Sequence, residues 1–210
     1  MGDYRFYLNR VLGRKDVFPE IIDSFSFSSV FIDEINLNIE NGENGDMILL
    51  LTSRFSYTNL DGFVISSGSD SRGFVLFQKI ENNKKSYKIE LDSNTIYSVI
   101  VYVVRNANVI NSEFDFISEN PPELINEKEG KYLYIAIAGH RACFQTVEEV
   151  PDSYVDLIEE RSNSGSESTA HRSIYSSHKF SQNKIENPTS YVFNVDVNQP
   201  HAATVALRSN

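Results

Sequence analysis

Alternation of apolar and polar residues predicts a β-hairpin in the middle of the chain. In residues 87–91 every second side chain is apolar and the two between them are charged, which is the period of a strand with one face in water. Residues 92–95 are short polar turn formers. Residues 96–104 are apolar apart from Ser98 and rich in β-branched and aromatic side chains. This run predicts a central strand covered on both faces, so the core is expected to be a sheet rather than a helix bundle.

Strand-like patterns recur along most of the chain. A first strand is predicted in residues 3–8, and a hairpin over residues 35–51 around the turn-forming segment 41–46. Residues 132–144 form the second strong strand pattern. Residues 106–129 contain two consecutive prolines and a weaker pattern, which favours a long surface loop because proline disrupts helices and inner strands.

One helix is predicted, over residues 153–161. Pro151 precedes it and acidic residues occupy its first turns, as the helix dipole favours. Tyr154, Leu157 and Ile158 would share one face of this helix, and that face is expected to pack on the sheet.

The composition changes in the last quarter of the chain. Residues 162–177 are mostly small and polar, as in a linker, yet alternation returns at residues 191–197 and 203–207. Residues 1–161 carry 26 acids and 15 bases, whereas residues 162–210 carry 3 acids and 4 bases. We therefore expect the segment 162–210 to be an extended arm that adds an edge strand to a sheet, its own or a neighbour's. The residues predicted to make this interaction are Phe180, Tyr191, Phe193, Val195, Val197, Val205 and Leu207.

Together these patterns predict an all-β protein, an antiparallel β-sandwich of jelly-roll type. The predicted sandwich body spans residues 1–161 and ends in the one short helix. The extended C-terminal arm, with edge-type strands, spans residues 162–210.

Charge and cysteine content restrict the partners and the compartment. The net charge of −10 argues against free nucleic acid and anionic membranes as partners, because either needs a basic footprint. The single cysteine, Cys143, excludes an internal disulfide framework and is expected to be a buried, inert thiol. The first residues lack the order of a signal peptide. Synthesis inside a cell is therefore expected, followed by incorporation into a virion or similar particle.

The sequence contains no recognisable catalytic constellation. His140 and Cys143 are close, but their odd separation places them on opposite faces of a strand, so they are not expected to form a nucleophile–base pair. A Gly-x-Ser-x-Gly elbow and phosphate-binding glycine loops are absent, and the histidines lack zinc-site spacing. We predict no catalytic, cofactor-binding or metal-binding residues and no cofactor, and the protein is not expected to be an enzyme.

The order of residues 59–65, 74–77 and 87–104 resembles the calcium-binding β-sandwich of tellurium-resistance proteins. In that family an acidic cluster precedes the central strand. Residues 81–85, Glu-Asn-Asn-Lys-Lys, stand at the corresponding place in this chain. This departure removes the carboxylates that would hold the metal, so calcium binding is kept only as an alternative.

The main functional prediction is a non-enzymatic structural subunit of a larger assembly, most of all a capsid, tail or connector component of a virus or phage particle. Its partners would be copies of itself or other subunits, contacted through the arm 162–210. The alternative is a ligand-binding β-sandwich for carbohydrate or calcium, with a site at Phe55 and Tyr57 or in the loop 106–129. A third class is a hydrolase whose acids, or a Ser/His pair, meet only in the fold.

Overall fold

A computed structural model describes residues 17–53, 57–69, 73–115, 117–140, 145–162, 172–194 and 199–209 of the protein. These residues form antiparallel strands and no helix, which confirms the all-β class. Two large sheets face each other in a sandwich-like arrangement. The strand predicted in residues 3–8 lies outside the described residues.

The first half of the chain builds the first sheet. Its order is β1-β6-β2-β5-β4, with β3 paired to β6. The strands are β1 (Glu20–Asn38), β2 (Met47–Thr52), β3 (Tyr57–Asn59), β4 (Val64–Ser69), β5 (Gly73–Lys79) and β6 (Ser86–Arg105).

The second half builds the second sheet and two short ribbons. Its strands are β7 (Val109–Asp115), β8 (Leu124–Ile125), β9 (Tyr132–His140), β10 (Val147–Glu149), β11 (Val155–Ser162), β12 (Arg172–Ser181), β13 (Ile185–Glu186), β14 (Val192–Phe193) and β15 (His201–Arg208). The sheet order is β11-β12-β9-β15-β7, while β8 pairs with β13 and β10 with β14.

The core between the sheets comes from alternate residues of their inner strands. In β2, Leu49 packs toward the second sheet and Leu50 packs on the opposite face, as the two-residue period of a strand requires. Full burial of each large aliphatic side chain contributes about 1.5–3 kcal/mol. The side chains between the sheets include Met47, Leu49, Leu51, Ile100, Tyr102 and Val104 from the first and Leu133, Ile135, Ile137, Ala203, Val205 and Leu207 from the second.

Two strands of the first sheet, β1 and β6, also cover its outer face. Residues 86–90 of β6 pair with residues 34–38 of β1, beyond register shifts in β1 between Ser29 and Glu34. This part of the ribbon packs its apolar side chains on Leu50 and its outward-facing neighbours. The predicted central strand 96–104 is therefore buried on both faces. The predicted turn at 92–95 is wrong, because β6 continues through it.

The helix predicted over residues 153–161 is also wrong. Strand β11 occupies most of this segment and pairs with β12 at the edge of the second sheet. A bulge between Val155 and Ile158 inserts an extra residue into the strand. That residue breaks the two-residue alternation and leaves an apolar spacing that resembles a helix.

Two other predictions about the fold are corrected by the sheet order. Strand β12 lies between β11 and β9, and β15 lies between β9 and β7, so these parts of the segment 162–210 are inner strands of the sandwich rather than an extended arm. A jelly roll passes repeatedly between its two sheets. Here each half of the chain completes one sheet, so the connectivity is not that of a jelly roll.

Candidate ligand groove between the sheet edges

Serine side chains join the edges of the two sheets. On one side, Ser26 Oγ of β1 donates to Glu160 Oε2 of β11 at 2.8 Å, and Ser28 Oγ donates to the Arg161 carbonyl at 3.1 Å. On the other side, the hydroxyls of Ser66 in β4 and Ser112 in β7 are 2.6 Å apart. These bonds give the edge strands partners, which limits uncontrolled pairing with other chains.

Toward the start of β1 the β1 and β11 edges enclose a groove of about 910 Å³. Three residues on β11 and two on β12 form one wall, and the segment from Val17 into β1 forms the other. The lining residues are Val17, Phe18, Pro19, Glu20, Ile21, Ser24, Tyr102, Asn106, Asp156, Leu157, Ile158, His178 and Phe180.

Aromatic rings form much of the groove's apolar surface. The rings of Phe18 and Phe180 meet edge to face, with centroids 5.8 Å apart, and Phe180 meets the His178 ring in the same way at 5.6 Å. Phe180 is 46% exposed and Leu157 is 39% exposed. Large apolar side chains left in water around a concavity are typical of a binding site.

A buried hydroxyl pair lies where the groove meets the core. The Tyr102 hydroxyl and Ser176 Oγ are 2.8 Å apart, joining β6 to β12. Burial raises the pKa of Tyr102 to about 12, so this phenol is protonated and neutral at physiological pH.

The groove also holds a histidine and a carboxylate. His178 Nε2 lies 3.6 Å from Asp156 Oδ2, and the Asp156 side chain is largely exposed. Asp156 has a positive φ of 54° within the β11 bulge, and this bulge carries its carboxylate next to His178. Burial lowers the pKa of His178 and the charge of Asp156 opposes that effect. The imidazole is therefore neutral at pH 7.

Ser24 lines the same groove, so the groove contains the residue types of a hydrolytic triad. Among the described residues, however, no hydrogen bond joins the Ser24 hydroxyl to His178, and His178 Nδ1 is buried without a partner. A nucleophile activated by its base requires that bond or a close approach to it.

The predicted interaction residues do not form one surface. Of those that the structure describes, only Phe180 lies in the groove. Tyr191 is buried and its hydroxyl donates to the Ala136 carbonyl at 2.8 Å, while Phe193 is half-buried against the ring of Tyr175. Val205 and Leu207 are fully buried between the sheets, which makes them unavailable for subunit contacts. Val195 and Val197 lie outside the described residues.

The other residues considered from the sequence lie elsewhere. His140 is buried and its ring contacts Tyr175, whereas Cys143 and Phe55 lie outside the described residues. Tyr57 is half-buried against the outer cluster of the first sheet. Within the described ranges, no group of three or more His, Cys, Asp or Glu side chains could hold a metal ion, and no helix is long and apolar enough to cross a bilayer.

The groove residues Phe18, Ile21, Asp156 and His178 were not found by sequence reasoning. Asp156 lies in the segment predicted to be a helix, and His178 lies in the segment predicted to be an extended arm. No pattern within a short segment could have predicted that these residues lie close together, because their proximity depends on β11 pairing with β12 and on β1 lying opposite.

Comparison of the chain with protein-family models, with curated proteins and with solved structures finds no match.

Proposed function

We propose that this protein is a non-enzymatic binding protein whose groove between β1 and β11 holds a small apolar ligand. The observation that carries the proposal is a concave space walled by half-buried Phe18 and exposed Phe180, next to the serine contacts that join the β1 and β11 edges. The ligand-binding alternative predicted from the sequence was a site for carbohydrate or calcium, so the ligand class and the site proposed now are both different.

The groove supports a particular ligand chemistry. Its volume of about 910 Å³ is within the roughly 300–1,000 Å³ of sites for drug-sized molecules. Its walls favour an aromatic or branched apolar body, while the Tyr102 hydroxyl supplies a polar atom at the inner end. The carboxylates of Glu20 and Asp156 at the groove disfavour an anionic ligand, because like charges repel across a weakly solvated site.

A fluorescence titration with the neutral aromatic amine N-phenyl-1-naphthylamine tests the proposal. Binding in the groove should increase its emission, because the probe leaves water for an apolar site. Replacement of Leu157 by Trp fills the groove and should weaken binding by roughly tenfold or more, which corresponds to a loss of about 1.4 kcal/mol or more.

The matched control is Val155→Trp. Val155 is on the same edge strand and is 51% exposed but does not line the groove, so this variant should bind the probe like the wild type. Equal loss of binding in the two variants, or no loss in Leu157→Trp, would contradict the groove as the site.

A second candidate function is the structural subunit predicted from the sequence, in a virus or phage particle. It is supported by one exposed apolar pair: Ile125 and Ile185 lie directly opposite each other in the β8–β13 ribbon and are 59% and 47% exposed. Paired exposed isoleucines on a ribbon are suited to burial against a second copy of the chain.

Light scattering of the native protein over a range of concentrations tests this second candidate. A subunit contact through the ribbon should give a species larger than one chain, and the double variant Ile125→Glu with Ile185→Glu should return it to the monomer. The variant Val64→Glu, at an exposed apolar position on β4, serves as the control. A wild type that stays monomeric throughout would remove the support for this candidate.

A further inference from the structure

A second concavity lies at the opposite edge of the second sheet from the ligand groove. It has a volume of about 310 Å³ and is formed by β7, the end of β15 and the residues between β8 and β9. We propose that this concavity, the Arg208 pocket, binds the carboxylate of a small organic acid. It is defined by Ile110, Asn111, Asn126, Glu127, Lys128, Tyr132, Ala206 and Arg208.

The first argument is that the two basic side chains of the pocket are unpaired among the described residues. Neither Arg208 nor Lys128 forms an ion pair or a side-chain hydrogen bond with any described residue, and Arg208 Nε is buried without a partner. Other basic side chains of this acidic protein, whose net charge is −10, do form ion pairs. Arg105, for example, pairs with Asp46 at 3.0 Å, and Lys179 pairs with Glu186 at 2.9 Å.

The second argument is that the stem of Arg208 packs closely against Gly130. The methylene stem of Arg208 crosses Gly130 so closely that a Cβ at position 130 would lie 2.7 Å from Arg208 Cδ. The Tyr132 hydroxyl donates to the Lys128 carbonyl and so ties the loop that carries Lys128 to β9. A guanidinium held in place loses less entropy on binding, and its planar fork matches a carboxylate.

The third argument concerns the walls of the pocket. Asn126 is buried, donates to the Tyr134 hydroxyl at 2.8 Å and accepts from Asn111 Nδ2 at 3.3 Å, so these amides form a rigid polar side. Ile110 and Ala206 provide an apolar side. The pocket thus fits a compact acid with an apolar or ring-shaped body.

The charge balance favours a carboxylate over a phosphate or sulfate. Glu127 is exposed and lines the same pocket, so one protein carboxylate competes with the ligand for Arg208 and Lys128. A ligand of charge −1 meets less repulsion from Glu127 and from the acidic molecule than a dianion does.

The test uses benzoate, with neutral benzamide of the same shape, in a titration followed by ¹H–¹⁵N chemical shifts of the full chain. Benzoate should shift the amides of Tyr132 and Ala206, and benzamide should bind at least about tenfold more weakly because it lacks the charge-assisted hydrogen bonds. Inorganic phosphate and sulfate are titrated separately, and each should bind more weakly than benzoate.

Four variants locate the site. Arg208→Gln should weaken benzoate binding at least about tenfold, and Gly130→Ala should weaken it by displacing the arginine stem without removing its charge. Glu127→Gln should strengthen binding several-fold, and because Glu127 is exposed this variant keeps its fold even if Arg208→Gln does not. Lys184→Gln removes an exposed cation outside the pocket and should leave binding unchanged.

Several results would overturn the proposal. Equal affinity for benzoate and benzamide, or no change in Glu127→Gln, would show that charge in this pocket does not hold the ligand. Tighter binding of phosphate or sulfate than of benzoate would overturn the assignment to a carboxylate. The groove proposal is unaffected by these results, because its probe is neutral and its variants lie on β11.

Discussion

At the scale of single residues, burial determines how the polar side chains of the groove behave. His178 is 10% exposed and has one acidic neighbour, Asp156, yet burial outweighs that neighbour and its pKa is lowered. The same effect raises the pKa of Tyr102. Both groups are therefore neutral at pH 7, and the inner end of the groove is polar without carrying charge.

Protonation of His178 should destabilise the folded protein. Its pKa is near 6.5 when exposed and lower in the fold, so the unfolded state binds more protons between these two values. The free energy of unfolding contributed by this group should fall as the pH decreases from about 6.5 and level off below the folded pKa. Urea denaturation at several pH values measures it.

Two variants make this measurement specific. His178→Gln should lose the part of the pH dependence that begins near pH 6.5, while the part due to carboxylates remains. Asp156→Asn removes the charge that raises the pKa of His178, so the wild-type dependence should become steeper. An unchanged pH profile in His178→Gln would contradict the buried neutral histidine.

At the scale of elements, the position of a strand in its sheet explains whether its sequence pattern predicted it correctly. The run in β6 predicted a strand correctly because residues 99–104 are buried on both faces, so nearly every side chain is apolar. Strand β11 was not predicted from its sequence, because it is an edge strand with an acidic, mostly exposed face and a bulge at Asp156. Strand β15 is rich in alanine, and small side chains fit it between β9 and β7 where both faces are covered.

At the scale of the whole molecule, the two sheets depend on each other. Each half of the chain forms one sheet, but alternate residues of β2 and β6 are buried against side chains of the second sheet, mainly from β9, β12 and β15. Ser98 Oγ of the first sheet also donates to the Arg172 carbonyl of the second, at 2.9 Å and fully buried. Neither half therefore has a complete core alone.

Removal of residues 162–210 should abolish folding. The truncation deletes β12 and β15, which leaves β9 without either neighbour and exposes Ile135 and the side chains around it. The fragment 1–161 should show no cooperative thermal transition, and addition of the fragment 162–210 should restore one. A fragment 1–161 that unfolds cooperatively by itself would contradict the two-sheet core.

By itself, the sequence determined that this protein is all-β and that residues 96–104 form a central strand, because these properties follow from side-chain periodicity along a short segment. The turn signals around residues 41–46 likewise placed the loop between β1 and β2 correctly. The hairpin predicted over residues 35–51 is wrong, because β6 lies between these two strands in the sheet. Local patterns cannot identify a strand's partners. Only the tertiary structure decided that β12 and β15 are inner strands, that Asp156 meets His178 in a groove beside Phe18, and that the Arg208 side chain has no ion pair or hydrogen bond with a described residue. Each of these features depends on contacts between residues far apart in the chain. Such contacts form only where the whole set of strands can pair and bury its apolar faces at the same time.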